Sequence, residues 1–137
     1  MSEHLVFVYG SLKSGFHNHH LMEGAELVCE TRTRDPAWLL SQFNSRSKPG
    51  AFVPGVETGD GYVTGEVYKV DDAGLEKLDK LEENGTRYQR REVSFENGVV
   101  AWMYVHADKQ ERPASSRQQV QFDPPTHTYK WTPPKNS

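Results

Sequence analysis

The chain lacks the features that mark several large classes of protein. It has one cysteine, Cys29, among 137 residues, so an internal disulfide framework is excluded. No apolar run approaches the roughly 18 residues that span a bilayer as a helix. The first residues also lack the charged segment and cleavage site of a secretory signal peptide. We therefore expect a cytoplasmic protein with no membrane partner.

Positive charge is not in excess either. The formal net charge is −3, which gives no electrostatic basis for nucleic acid or an anionic membrane as a partner. A short cluster of Arg87, Arg90 and Arg91 is expected to lie on a solvated strand face. The partner we expect is therefore a small molecule.

Recognisable metal and nucleophile motifs are missing as well. A histidine-rich stretch covers residues 14–21, and His17 and His20 could reach one ion with Cys29 beyond them. No paired cysteine spacing accompanies them, so a surface loop is the favoured interpretation and no metal site is predicted. A metal-dependent hydrolase is the weakest functional alternative. We find no Ser-His-Asp or Cys-His set.

What the sequence does contain is a series of β-rich segments between glycine and proline turns. They predict six or seven strands in a single domain, at 5–9, 26–34, 37–43, 51–55, 62–70, 88–95 and 99–105. The fourth is expected to end at Pro54-Gly55, and Gly65 inside the fifth predicts a bulge or a close backbone approach. Asn97-Gly98 predicts a hairpin, and the strand after it is expected to be central.

One segment, about residues 73–83, favours a helix. Asp71 and Asp72 supply an N-cap, and Gly85 suits a left-handed cap after the helix. Its apolar side consists of Leu75, Leu78 and Leu81. One helix among short strands predicts an α+β fold with a small closed or partly closed barrel.

The C-terminal part differs in composition from the rest. We expect residues 1–108 to form the folded domain and residues 109–137, polar and proline-containing, to form a tail. The tail is predicted to be irregular or packed on the body through Phe122, Tyr129 and Trp131.

Glu82 conflicts with the pattern of the predicted helix. At about 100° per residue it falls between Leu75 and Leu78, whereas Glu83 lies off the apolar stripe. Burial and the last helical turn both raise the pKa of a carboxyl, which is the direction a general acid and base needs. A frayed turn that lets Glu82 reach water is an equal alternative.

The first strand ends at Gly10 and leaves the backbone N–H groups of Gly10, Ser11 and Leu12 without ladder partners. Such a group of donors can face an anion. An ordinary turn is the favoured interpretation of this stretch alone.

Taken in order, these segments resemble the γ-glutamylcyclotransferase family. Residues 8–13, Val-Tyr-Gly-Ser-Leu-Lys, are similar to its Tyr-Gly-Ser/Thr-Leu loop, and residues 15–19 resemble its Gly-x-x-Asn-His continuation. Residues 65–68, Gly-Glu-Val-Tyr, resemble the strand before its helix. Residues 78–82, Leu-Asp-Lys-Leu-Glu, followed by Tyr-Gln-Arg at 88–90, resemble the segment with its catalytic glutamate.

The resemblance extends from about residue 5 to residue 105. The spacing from Glu82 to Tyr88 suits the γ-glutamylamine cyclotransferase branch, which is AIG2-like. It implies a barrel-like mixed sheet of six or seven strands with one main helix, short flanking helices and a polar pocket.

The resemblance also implies an activity. Enzymes of this family, described as transferases or lyases, use no cofactor and cleave a γ-glutamyl amide by attack of its own α-amine. The products are 5-oxoproline and a free amine. Glu82 is then the proton carrier, and the amides of Gly10, Ser11 and Leu12 hold the substrate α-carboxylate.

Tyr9, Tyr88 and Tyr104 are further candidates for substrate binding, although an aromatic residue is more often part of the core. We expect a monomer or weak homodimer with a small γ-glutamyl substrate, whose leaving amine the sequence does not specify. The alternative function is a non-catalytic binding module for a small ligand that carries a carboxylate.

Overall fold

The structure is a computed structural model that describes residues 2–10, 12–14, 16 and 19–133. Strands dominate it, and all seven predicted strands are present. The elements in chain order are β1 (Glu3–Val8), a 3₁₀ helix (His19–Met22), β2 (Glu26–Arg32), β3 (Trp38–Asn44), β4 (Phe52–Thr58), β5 (Tyr62–Asp71), α1 (Asp72–Leu81), β6 (Tyr88–Ser94), β7 (Val100–His106), β8 (Val120–Asp123) and β9 (Thr128–Trp131).

The strands form one mixed sheet that curls into a nearly closed barrel, as predicted. The strands β1, β2 and β5 are antiparallel neighbours around β5, and β1 pairs in parallel with β7. The antiparallel β6–β7 hairpin completes the ring, because an isolated bridge joins Thr33, just after β2, to Phe95, just after β6. The predicted central position of β7 is confirmed by its pairing with β1, β4 and β6.

Two hydrophobic clusters use opposite faces of the sheet. Successive side chains of a strand point to opposite faces, so β1 sends Phe7 into the barrel interior and Val6 and Val8 toward α1. On the helix side, Leu75 and Leu78 are buried against that second cluster. The two faces of β1 thus bring the barrel and the helix together beside the residues that follow Val8.

The predicted end of the fourth strand is wrong. β4 continues through Pro54 and Gly55 to Thr58. Pro54 is tolerated because β4 is fully paired only with β3, while toward β7 it has one paired residue, Val56. Gly55 belongs in the strand because a Cβ atom there would lie 2.5 Å from Cε2 of Phe43.

The helix begins as predicted, with Asp71 as N-cap and its carboxylate accepting from Gly74 N–H at 2.8 Å. It ends earlier than expected, at Leu81, with Glu82 as C-cap. Leu81 is 48% exposed, so only Leu75 and Leu78 form the buried stripe. Gly65 confirms the expected close approach, since a Cβ atom there would lie 2.4 Å from the Val8 carbonyl oxygen.

The C-terminal segment contains a hairpin, β8–β9, where the sequence predicts an irregular or packed tail. β9 extends the sheet by pairing with Tyr62 and Val63 of β5. Tyr129 and Trp131 are buried in the barrel cluster, whereas Phe122 is 40% exposed. In the part of the chain that the structure describes, no helix has the length and apolar character needed to cross a membrane.

Candidate active site

A cavity of about 340 Å³ lies between the end of β1, the β3–β4 loop and the C-terminal end of α1. It brings together the predicted site residues that the structure describes: Tyr9, Gly10, Leu12, Glu82, Tyr88 and Tyr104. Ser11, also predicted, lies outside the described residues. The predicted site residues that the structure describes therefore line one cavity, although they come from distant parts of the chain.

Glu82 projects into this cavity from the end of α1. The helix end is fixed rather than frayed, since Glu82 N–H donates to Leu78 O, Glu83 N–H to Lys80 O and Asn84 N–H to Asp79 O. The last two bonds form a Schellman motif. They hold the Glu82 side chain at the cavity wall.

Burial is the main influence on the Glu82 carboxyl and raises its pKa to about 7. The nearby Arg87 lowers the pKa, and Glu83 raises it further. The residue as a whole is half-buried, yet no other described residue donates a hydrogen bond to its carboxylate. Glu82 can therefore exchange a proton near neutral pH.

The loop after β1 forms the opposite wall. A turn is present, because Lys13 N–H donates to Gly10 O at 3.1 Å. No described residue accepts a hydrogen bond from the N–H of Gly10 or Leu12. Gly10 packs closely on β4, where a Cβ atom would lie 2.4 Å from Cγ of Pro54. Two amides with no acceptor among the described residues thus border the cavity, as an anion site requires.

The hydroxyls of the three predicted tyrosines have partners within the protein. Tyr9 donates to Tyr104 O at 2.6 Å, Tyr88 donates to Pro54 O at 2.6 Å, and Tyr104 donates to the Asp79 carboxylate at 2.6 Å. Burial is the largest cause of a raised pKa for each of these hydroxyls, which stay protonated. The three rings line the cavity, while their protons are committed elsewhere.

Most of this chain matches one family. A family model described as gamma-glutamyl cyclotransferase, AIG2-like, matches residues 6–131. The chain belongs to this family. It is 36% identical over 106 residues to a putative gamma-glutamylcyclotransferase of Vibrio cholerae, an alignment that covers 77% of this chain and 84% of that one. The family resemblance inferred from the sequence is confirmed.

A further relative and a solved structure extend the comparison. A gamma-glutamylaminecyclotransferase C of Danio rerio is 38% identical over 101 residues, covering 70% of this chain and 64% of that one. The crystal structure of an AIG2-like protein from Mus musculus superposes with a TM-score of 0.65 at 24% identity and covers 100% of both chains. That mouse structure supports the fold.

Polar contacts of Glu66, His19 and Lys13 fix the loop after β1 in this cyclotransferase-family chain. Glu66 accepts from Ser14 N–H at 2.7 Å, and the His19 ring donates to Leu12 O at 2.9 Å. Lys13 Nζ reaches the Trp131 carbonyl at 3.0 Å, and burial lowers the pKa of Lys13 to about 8. Sequence reasoning did not assign Glu66 or Lys13 to the site, although both lie in the stretches that resemble the family.

The expectation of a solvated arginine cluster is wrong for Arg87. Its side chain is 8% exposed and lines the cavity, because Glu111 neutralises it through two hydrogen bonds. Arg90 pairs with Asp79 and lies over the Trp102 ring, whereas Arg91 is exposed. The partners of both Arg87 and Arg90 are remote in sequence, which is why the local pattern missed them.

Among the described residues, no three His, Cys, Asp or Glu side chains lie close enough together to hold a metal ion. His17, which the sequence raised as a candidate, lies outside them.

Proposed function

We propose that this protein is a cofactor-independent cyclotransferase that acts on γ-glutamyl amides, and specifically on γ-glutamyl amines. The observation that carries the proposal is the carboxyl of Glu82, with a pKa raised to about 7, in one cavity with the amides of Gly10 and Leu12, which have no acceptor among the described residues. Family membership supports the general activity. The relative named gamma-glutamylaminecyclotransferase C supports the amine class.

The amides of Gly10 and Leu12 would bind the α-carboxylate of the glutamyl group, together with Ser11 as predicted from the sequence. Hydrogen bonds to an ionised acceptor are stronger than neutral ones. With its carboxylate held, the glutamyl chain can fold back so that its α-amine meets its γ-carbonyl. Holding that folded conformation supplies the positioning that intramolecular attack needs.

In the chemical step the α-amine nitrogen bonds to the γ-carbonyl carbon, and the bond from that carbon to the leaving nitrogen breaks. Ionised Glu82 takes one proton from the attacking amine and delivers it to the leaving nitrogen. The products are 5-oxoproline and a free amine, and no water is consumed. The nucleophile belongs to the substrate, so the protein needs no nucleophilic side chain of its own.

Glu82 suits both halves of this proton transfer. A carboxyl of ordinary pKa would be ionised near pH 7 and a poor donor to the leaving nitrogen. With its pKa at about 7, Glu82 is a stronger base and its conjugate acid still forms readily. The cytoplasmic location and the monomer or weak homodimer remain predictions from the sequence.

The experiment is to incubate the protein with γ-glutamyl-ε-lysine and a panel of other γ-glutamyl amines and to quantify 5-oxoproline. Glu82→Gln keeps the shape of the side chain and removes its proton transfer, so kcat should fall by roughly 10²–10⁴-fold. The matched control is Glu83→Gln, because Glu83 is the adjacent carboxylate and its side chain is 50% exposed. That variant should lose far less kcat than Glu82→Gln.

Two results would contradict the proposal. If no γ-glutamyl compound yields 5-oxoproline but one binds in calorimetry, the cavity is a binding site without catalysis. If Glu82→Gln turns over as fast as Glu83→Gln, the proton carrier is another group.

A further inference from the structure

Glu111 belongs to the C-terminal segment, outside the stretches from which the family was inferred, yet it reaches the cavity wall. Its carboxylate binds Arg87 through two bonds, Arg87 Nε to Oε1 at 3.0 Å and Arg87 Nη2 to Oε2 at 2.8 Å. The two side chains are 8% and 14% exposed, respectively. Bidentate pairing of this kind fixes the guanidinium in both position and orientation.

Further contacts fix Glu111 itself. His106 Nε2 lies 2.8 Å from Oε1, and Arg46 Nη2 lies 3.3 Å from the same oxygen. The His106 ring stacks on Phe43 with centroids 4.0 Å apart. Burial alone would raise the pKa of Glu111, but the hydrogen bonds from Arg87 and His106 outweigh it and lower that pKa. Glu111 is therefore an anion held in one place.

Among the groups that face Glu82, Arg87 has a distinct effect on the ionisation of its carboxyl. The cavity wall beside Glu82 carries the neutral hydroxyls of Tyr9, Tyr88 and Tyr104, from the loop after β1, from β6 and from β7. The charged groups that line the cavity are Arg46, from the β3–β4 loop, Glu83 and Arg87. Arg87 is the one whose charge favours the ionised form of Glu82, and Glu83 opposes it.

We propose that Glu111 is a positioning residue that holds and neutralises Arg87, and so sets the pH range over which Glu82 carries protons. This inference rests on the proposed function. Without Glu111 the full charge of Arg87 would act on Glu82, which would stay ionised to lower pH and become a weaker base. Without Arg87 the unpaired charge of Glu111 would act in the opposite direction.

The test compares pH profiles of kcat/KM, whose acid limb reports the ionisation of Glu82 in the free enzyme. Glu111→Gln should move this limb to lower pH by roughly 0.5–1 unit, and Arg87→Met should move it to higher pH by a similar amount. The double variant Arg87→Met/Glu111→Gln removes both charges, and its limb should return close to that of the unmodified protein. A role limited to folding would not give shifts of opposite sign.

Asp108→Asn is the matched control, because Asp108 also pairs with Arg46 but its side chain is 29% exposed. Its limb should stay in place. If Glu111→Gln does not fold, Glu111→Asp retains the charge but is too short to keep both bonds, so a smaller shift to lower pH is expected. Limbs that coincide in the folded variants, or that all shift in one direction, would overturn the inference.

A second readout separates this inference from the proposed function. The carbonyl stretch of the protonated Glu82 carboxyl can be titrated by infrared spectroscopy without substrate, with Glu82→Gln as the reference that lacks the band. Shifts in the expected order, with no turnover of any γ-glutamyl compound, would support the charge network and refute the enzyme. Turnover with an unshifted band in every variant would refute the network and keep the enzyme.

Discussion

Carboxylates on the inner wall of the cavity and carboxylates at its charged rim, around Arg46, have opposite surroundings. Along the inner wall, Glu82 is surrounded by tyrosine rings and receives no hydrogen bond from another described residue. At the rim, Glu83, Asp108 and Glu111 each lie within ion-pair distance of Arg46. Among the described residues Glu82 thus has no ion-pair partner, whereas the adjacent Glu83 and the distant Asp108 and Glu111 share Arg46.

Glu82 and Glu83 show what this difference does to adjacent residues. Burial raises the pKa of Glu82 to about 7, while Glu83 points to the rim with half its side chain exposed. The change of direction arises at the end of α1, where Glu83 has a left-handed φ of 52°. One backbone turn therefore buries one carboxylate in the cavity wall and leaves the next one half-exposed beside Arg46.

The pH dependence of the free energy of unfolding should show the largest difference between Glu82 and Glu83. The pKa of Glu82 is raised from about 4.5 to about 7 on folding, so its contribution to stability falls as the pH rises between these values. Above that range the ionised carboxylate costs about 2 kcal/mol, after a discount for its partial exposure. Glu82→Gln should therefore match the unmodified protein near pH 4.5 and exceed its unfolding free energy by about 2 kcal/mol near pH 8.

Urea unfolding at the two pH values measures this difference. Glu83→Gln is the control, and its effect on the free energy of unfolding should be small at both. An equal effect of Glu82→Gln at the two values would mean that the Glu82 carboxyl is fully hydrated. The outcome requires no substrate, so it tests the buried carboxyl independently of the catalytic proposal.

Removing a hydroxyl from the inner wall should have a smaller effect, and on stability rather than on substrate binding. Tyr104→Phe loses the bond to Asp79, but Asp79 keeps Arg90 at 2.9 Å and is not left unpaired. We expect a loss of about 1 kcal/mol in the free energy of unfolding, with KM changed by less than about twofold. Chemical denaturation and steady-state kinetics on the same sample measure both quantities.

Tyr9→Phe is the informative comparison for that variant. The Tyr9 hydroxyl donates to Tyr104 O and accepts from Val56 N–H, so its removal takes a hydrogen-bond partner from two buried backbone groups. Its stability loss should exceed that of Tyr104→Phe. A large rise in KM for Tyr104→Phe at unchanged stability would instead show that this hydroxyl contacts the substrate.

Local sequence patterns predicted the parts of the fold that depend on neighbouring residues. β-rich segments between glycine and proline turns located the strands, Asp71 marked the start of α1, and helical phase placed Glu82 rather than Glu83 on the more buried side. The end of the helix was predicted too late, because the left-handed turn occurs at Glu83, a residue type that gives no signal for it. A glycine two residues later was the stronger local indication.

Non-local pairing decided what the patterns missed. Pro54 lies within a strand because of how β3 and β7 flank it, which its own neighbours in sequence do not reveal. Arg87 is buried because of Glu111, 24 residues away, and Lys13 meets the Trp131 carbonyl across 118 residues. The cavity walls were predictable from motifs, whereas the supports behind them depend on which distant elements the barrel brings together.

The smallest expected effect concerns the rim side of the comparison, at Glu83. A non-glycine residue at a φ of 52° carries about 1 kcal/mol of strain that glycine does not. Its ion pair with Arg46 spans 3.8 Å between exposed groups and contributes little. Glu83→Gly should therefore raise the free energy of unfolding by about 0.5 kcal/mol, after the greater freedom of glycine in the unfolded chain is subtracted.

Glu83→Ala, which removes the carboxylate and keeps the strain, should give no gain in the free energy of unfolding in parallel urea titrations. If alanine stabilises as much as glycine, the benefit comes from removing charge next to Glu82 rather than from relieving the backbone.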